Sequence, residues 1–107
     1  MKIDYQQLEF IDPILRQIVK DLEDHFRVEF EATSLYRMND LGVHGQLPLR
    51  GTDLGCKDKN LGLVVQKYIN SRWCYDSRRP RKVCCKFHNS GSGYHLHLQS
   101  HPNTRRI

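Results

Sequence analysis

The last carboxylate side chain of the chain is Asp76. From Ser77 to Ile107 there is neither aspartate nor glutamate, while Arg78, Arg79, Arg81, Lys82, Lys86, Arg105 and Arg106 all fall in that third. Also missing is any apolar run near the roughly 18 residues that cross a bilayer, so membrane insertion is not expected. The N-terminal segment MKIDYQQLEF has no h-region, which predicts synthesis in the cytoplasm without an export signal of its own. The four cysteines, Cys56, Cys74, Cys84 and Cys85, include no C-x-x-C pair, which argues against a zinc knuckle or a thioredoxin-like redox site. In a cytosolic protein they are expected to stay reduced, as small buried hydrophobes and not metal ligands. Internal repeats and low-complexity segments are absent as well.

What is present describes an ordinary soluble protein on the polar side: 107 residues, 38% hydrophobic and 27% charged, enough for one domain spanning residues 1–107. The net charge of +5 and the pI of about 9.2 come largely from the acid-free third. A basic half suits an anionic partner, nucleic acid or an anionic envelope polymer; the plainer reading is a solvated basic loop and tail. No helix-turn-helix, aromatic RNA-stacking motif or zinc-finger spacing accompanies the charge, so a nucleic-acid partner is not expected. The protein is expected to be a monomer.

Asp12-Pro13 reads as a helix start, aspartate capping free amides and proline in the first turn. Ile14, Ile18, Leu22 and Phe26, with Leu15 and Val19 beside them, then give an amphipathic helix from 13 to about 25. Val28, Phe30 and Ala32 alternate with charged residues, predicting a strand that runs into Thr33-Ser34-Leu35-Tyr36-Arg37. Met38 to Lys59 carries Gly42, Gly45, Pro48, Gly51 and Gly55. It reads as a long functional loop without regular structure, holding His44 and Asp53. A second helix is predicted from about Asn60 to Arg72, with Leu61, Val64, Val65, Tyr68 and Ile69 as its apolar face. A strand from Val83 to His88, a hairpin loop from Asn89 to Gly93 and an irregular tail behind Pro102 complete the chain. Trp73 and Tyr68 read as core, and His25, His88 and His101 as structural or solvated, with His88 near enough to line a pocket. The fold class is therefore α+β, two main helices packed on a small antiparallel sheet.

The centre of this reading is Tyr94-His95-Leu96-His97-Leu98-Gln99, whose strict alternation predicts a half-buried strand. His95, His97 and Gln99 then share one face, and Tyr94, Leu96 and Leu98 the other. Imidazole is the commonest nitrogen ligand for zinc and also titrates near neutrality. One histidine of such a pair can hold a metal while its neighbour handles a proton; the alternative is two solvated surface residues.

The ordered set Ser34-Leu35-Tyr36-Arg37, His44, Asp53-Leu54 and His95-Leu96-His97 resembles the zinc peptidases of the D-alanyl-D-alanine carboxypeptidase class. That class also takes in lysostaphin-type enzymes and the hedgehog signalling domain, and small bacteriophage proteins carry domains of this kind. The likeness covers roughly residues 33 to 99. It implies a hedgehog-like fold and a zinc ion held by His44, Asp53 and His97, two imidazoles and a carboxylate with a fourth position open for water. It implies His95 as general base or oxyanion stabiliser, and Arg37 as partner of the substrate carboxylate or developing oxyanion. The implied activity is hydrolysis of a peptide bond in bacterial peptidoglycan, at the cell wall once the protein is released. Two departures accompany it. His44 to Asp53 spans ten positions where the family pattern His-x-x-Gly-x-Ala-x-Asp has eight. Tyr94 also stands three residues before the last histidine, where these carboxypeptidases commonly have an acid. The proton then falls to His95, to a carboxylate from elsewhere such as Glu29 or Glu31, or to no group at all. The last case describes a non-catalytic zinc-stabilised module that binds an anionic polymer or a partner protein. Outside the resemblance, Arg37 could pair with Asp40 on the surface, and Asp53 could cap a turn.

Overall fold

The computed structural model describes residues 11–28, 30, 32–34, 50–89 and 93–107. Two helices lie against a four-stranded antiparallel sheet, with a separate two-stranded ribbon beside them. The elements are α1 (Pro13–Phe26), β1 (Ala32–Ser34), β2 (Gly51–Gly55), α2 (Lys59–Arg72), β3 (Trp73–Cys74), β4 (Cys85–Asn89), β5 (Tyr94–Gln99) and β6 (Arg105–Arg106). The larger sheet has the order β1-β2-β5-β4, all neighbours antiparallel, and the smaller pairs β3 with β6. This is the small α+β architecture expected.

Helix α1 begins where expected. The Asp12 carboxylate accepts from the amides of Ile14 and Leu15 at 3.1 and 3.2 Å and also takes the Ser100 hydroxyl at 3.1 Å, joining the helix start to the end of β5. Leu15, Ile18, Val19 and Leu22 are its buried face. The helix ends at Arg27, in the left-handed region at φ 54. The strand expected from Val28 starts later, at Ala32. The Phe30 amide goes back to the Glu23 carboxylate on α1, 2.9 Å, and the buried Phe30 ring joins the core from outside the sheet.

The segment read as a loop without regular structure contains the inner strand β2. Thr52 and Leu54 are fully buried, and Asp53 between them points to the other face. The alternation is that of a strand, and the glycines at its two ends are what made the segment look like loop. Helix α2 is capped by the Asp58 carboxylate, which accepts from Asn60 and Leu61. Its buried positions are Gly62, Val65 and Ile69; Val64, expected on the apolar face, is 54% exposed. A Cβ at Gly62 would overlap the Phe87 ring, so glycine here lets the helix approach β4.

Strand β4 is an edge, yet its outward backbone is covered by α2. Asn70 donates to the Cys85 carbonyl and accepts from the Cys85 amide, both at 2.9 Å. One turn earlier, Gln66 accepts from the Phe87 amide at 2.8 Å. An edge strand satisfied this way offers no open ladder to another chain. The tail is not irregular. Trp73 pairs with Arg106 and Cys74 with Arg105, and the Thr104 hydroxyl anchors the turn by donating to the Tyr75 carbonyl, 2.7 Å. Asp21 of α1 ties this ribbon down, accepting from Tyr68 Oη and Trp73 Nε1 beside the guanidinium groups of Arg72 and Arg106. Arg72 and Arg106 thus pair with a carboxylate of the chain itself. Among the described residues no helix is long and apolar enough to cross a membrane.

Candidate metal centre

Strand alternation sorts the larger sheet into two chemically different faces. Leu54, Leu96, Leu98 and Cys85 face the helices and are fully buried. The opposite face carries Asp53 of β2, His95, His97 and Gln99 of β5, and Lys86 and His88 of β4. Antiparallel register then sets the neighbours. Asp53, His97 and Lys86 form one row across three strands, and Gly55, His95 and His88 the next. Side chains directly opposite one another on a sheet face have Cβ atoms about 4.5–5.5 Å apart, close enough for Asp53 and His97 to meet.

They do meet. His97 Nδ1 lies 2.8 Å from Asp53 Oδ1, across 44 residues of sequence. Both side chains are about one-fifth exposed, so the pair is reachable from solvent yet held by its surroundings. The other ring nitrogen, Nε2, faces Gln99 Oε1 at 3.3 Å, and Gln99 Nε2 donates to the Val83 carbonyl at 2.7 Å. His95 projects from the same face, with its ring 6.1 Å from that of His88. Tyr94, at the position where the resemblance expects an acid, belongs to the other face and stacks on Phe87 at 5.2 Å. An acid in its place would point away from His97.

Of the five residues singled out from sequence, the structure brings Asp53 and His97 into contact and sets His95 beside them. Arg37 and His44 lie outside the described residues, as do Glu29, Glu31 and Asp40. Asp53 does not cap a turn; it is the middle residue of β2. Among the described residues no group of three or more histidine, cysteine, aspartate or glutamate side chains is arranged to hold a metal ion; the third proposed ligand, His44, is not one of those residues. The two donors present fit a divalent metal in kind, one imidazole nitrogen and one carboxylate oxygen. Two donors in a tetrahedral site with bonds of about 2.0–2.1 Å stand about 3.3 Å apart, so the hydrogen-bonded pair would open by about half an ångström to take one.

The cysteines stand apart from this face. All four are free thiols. Burial pushes Cys84 and Cys85 up to about 12 and raises Cys56, so these three carry no thiolate for a metal at neutral pH. His25 stacks on Tyr68 at 4.0 Å, and His101 Nδ1 accepts from the Asn103 amide, so both have structural partners. Gln99 and Lys86 are the neighbours that sequence reading left without a role. Gln99 was open to it, two residues beyond His97 on one strand face, whereas Lys86 needed the register of β4. Comparison of the chain with protein-family models, with curated proteins and with solved structures finds no match in any of the three.

Proposed function

We propose that the protein is a zinc-dependent peptide hydrolase of the D-alanyl-D-alanine carboxypeptidase, lysostaphin and hedgehog-like kind, acting on the peptides of bacterial peptidoglycan. The observation that carries this reading is the contact of Asp53 with His97, two residues of an ordered motif brought together by strand register. His44, Asp53 and His97 would hold the metal, which supplies an activated water and a polarised peptide carbonyl. His95 would act as the base, accepting a proton on an imidazole nitrogen and giving it to the leaving amine. It is the titratable side chain two residues from His97 on the same strand face. Arg37 receives the substrate carboxylate.

A rival reading is a non-catalytic zinc-stabilised module that binds an anionic polymer. It draws on Tyr94, which stands where the family has an acid, and on the exposed turn with Arg78, Arg79, Arg81 and Lys82. The two readings part on turnover. Wild type and His95→Ala, each with verified zinc content, are incubated with purified cell wall and newly released amino groups are counted. A positioned base contributes about 10²–10⁴-fold, so His95→Ala is expected to lose activity on that scale while keeping zinc and fold. Zinc-replete wild type that releases nothing from several wall chemotypes favours the rival. Equal turnover in His95→Ala keeps the hydrolase and removes His95 from its mechanism.

A further inference from the structure

Gln99 is the third side chain that β5 presents on the face of His95 and His97. Its amide is oriented by the backbone, because Nε2 donates to the Val83 carbonyl at 2.7 Å. Only the NH₂ end of an amide can make that bond, so the two ends are not interchangeable here and Oε1 is the atom turned towards His97. The main chain of Gln99 is held as well, its N–H donating to the Cys84 carbonyl at 2.8 Å. Residues 83 and 84, just before β4, therefore fix both the backbone and the side chain of Gln99.

An amide oxygen accepts and cannot donate. The 3.3 Å contact between Gln99 Oε1 and His97 Nε2 is therefore a hydrogen bond only in the tautomer that carries its proton on Nε2. On the far side of the ring, Nδ1 faces Asp53 Oδ1. A neutral imidazole carries one N–H and one lone pair, so a ring whose proton is fixed at Nε2 has its lone pair at Nδ1. In that tautomer Nδ1 and the Asp53 carboxylate oxygen face each other as two acceptors 2.8 Å apart, and a cation bridging them would leave the Gln99 bond as it is.

We propose that Gln99 is a positioning residue: anchored on Val83, it holds the Nε2 proton of His97, so that Nδ1 is the nitrogen offered beside Asp53 to a divalent cation. This rests on the zinc reading above and adds to it the nitrogen used and the residue that selects it. A ring that donates its other N–H to a fixed acceptor is held in one tautomer and one orientation, and losing such a partner typically costs about 10–100-fold in metal affinity.

The test uses the full chain labelled with ¹⁵N. Long-range imidazole ¹H–¹⁵N spectra are recorded for wild type and Gln99→Met, metal-free and with one equivalent of zinc, together with a chelator competition for zinc. In wild type, His97 is expected to keep a hydrogen-bonded Nε2 proton in both states, with the Nδ1 resonance moving to a metal-bound position. Gln99→Met is expected to lose that proton signal in the metal-free protein and to bind zinc about 10–100-fold more weakly. Zinc on Nε2 in wild type overturns the proposal even if Gln99→Met fails to fold. A folded Gln99→Met with unchanged Nε2 signal and unchanged affinity overturns it too. Wild type that takes up no zinc sinks the zinc reading instead. The metal-free spectra then still decide whether Gln99 fixes the ring, identical spectra in the two proteins counting against it.

Discussion

Cys84 and Cys85 are adjacent in sequence and both fully buried, one just before β4 and one at its first residue. A thiolate is the reactive form of cysteine, and burial holds both thiols near a pKa of about 12. Alkylation of the native protein at neutral pH is expected to be slow at these two positions and to reach four thiols per chain only after unfolding. Fast modification of Cys84 or Cys85 in the native state contradicts their burial, and fewer than four thiols in unfolded protein purified without oxidant contradicts the free-thiol assignment. His95, His97 and Gln99 declared a shared face through period-two alternation. The role of Gln99 was not legible, because it depends on where the Val83 carbonyl lies, and nothing local to Gln99 encodes that.

Among the elements, β4 depends most on a partner other than a strand. Its outward groups at Cys85 are satisfied by one side chain, Asn70, which both donates and accepts. Truncation leaves a buried amide and carbonyl without that partner, at about 1–3 kcal/mol for an unsatisfied group. Asn70→Ala is therefore expected to lower the unfolding free energy by about that amount in a urea titration, whereas Ser71→Ala, on the exposed side of the same helix, should change it far less. Equal effects of the two substitutions would contradict the edge-covering role. Elements were legible in proportion to their local signals. Both helices declared themselves through an aspartate cap and apolar spacing, and β5 through alternation. Strand β2 was hidden because Gly51 and Gly55 bracket only three other residues. Strand β6 was hidden because two residues after a proline carry no pattern, and its pairing with β3 is decided by Asp21, Trp73 and Arg106, far apart in sequence.

At the scale of the whole molecule, the carboxylates of Asp12, Asp21, Asp53 and Asp76 all reach groups in the acid-free third. Asp76 is buried and its carboxyl is held below the ordinary aspartate value of 3.8, first by the Arg78 amide at 3.0 Å and also by the nearby charges of Arg78 and His101, against the opposing effect of burial. A carboxyl with a depressed folded pKa stabilises the native state above its unfolded pKa, and this contribution is lost as pH falls through the folded value. The stability gap between wild type and Asp76→Asn is thus expected to be full at neutral pH and to narrow below about pH 3.8. A gap that stays constant into that acid range would contradict it.

Whether strand register assembles the proposed metal centre from distant parts of the chain is decided by metal content. Wild type, Asp53→Ala and His97→Ala are loaded with zinc, desalted and assayed for bound metal, with fold checked by circular dichroism. One zinc per wild-type chain and severe loss in both folded variants are expected. Wild-type protein that emerges folded and without zinc would contradict the proposed centre.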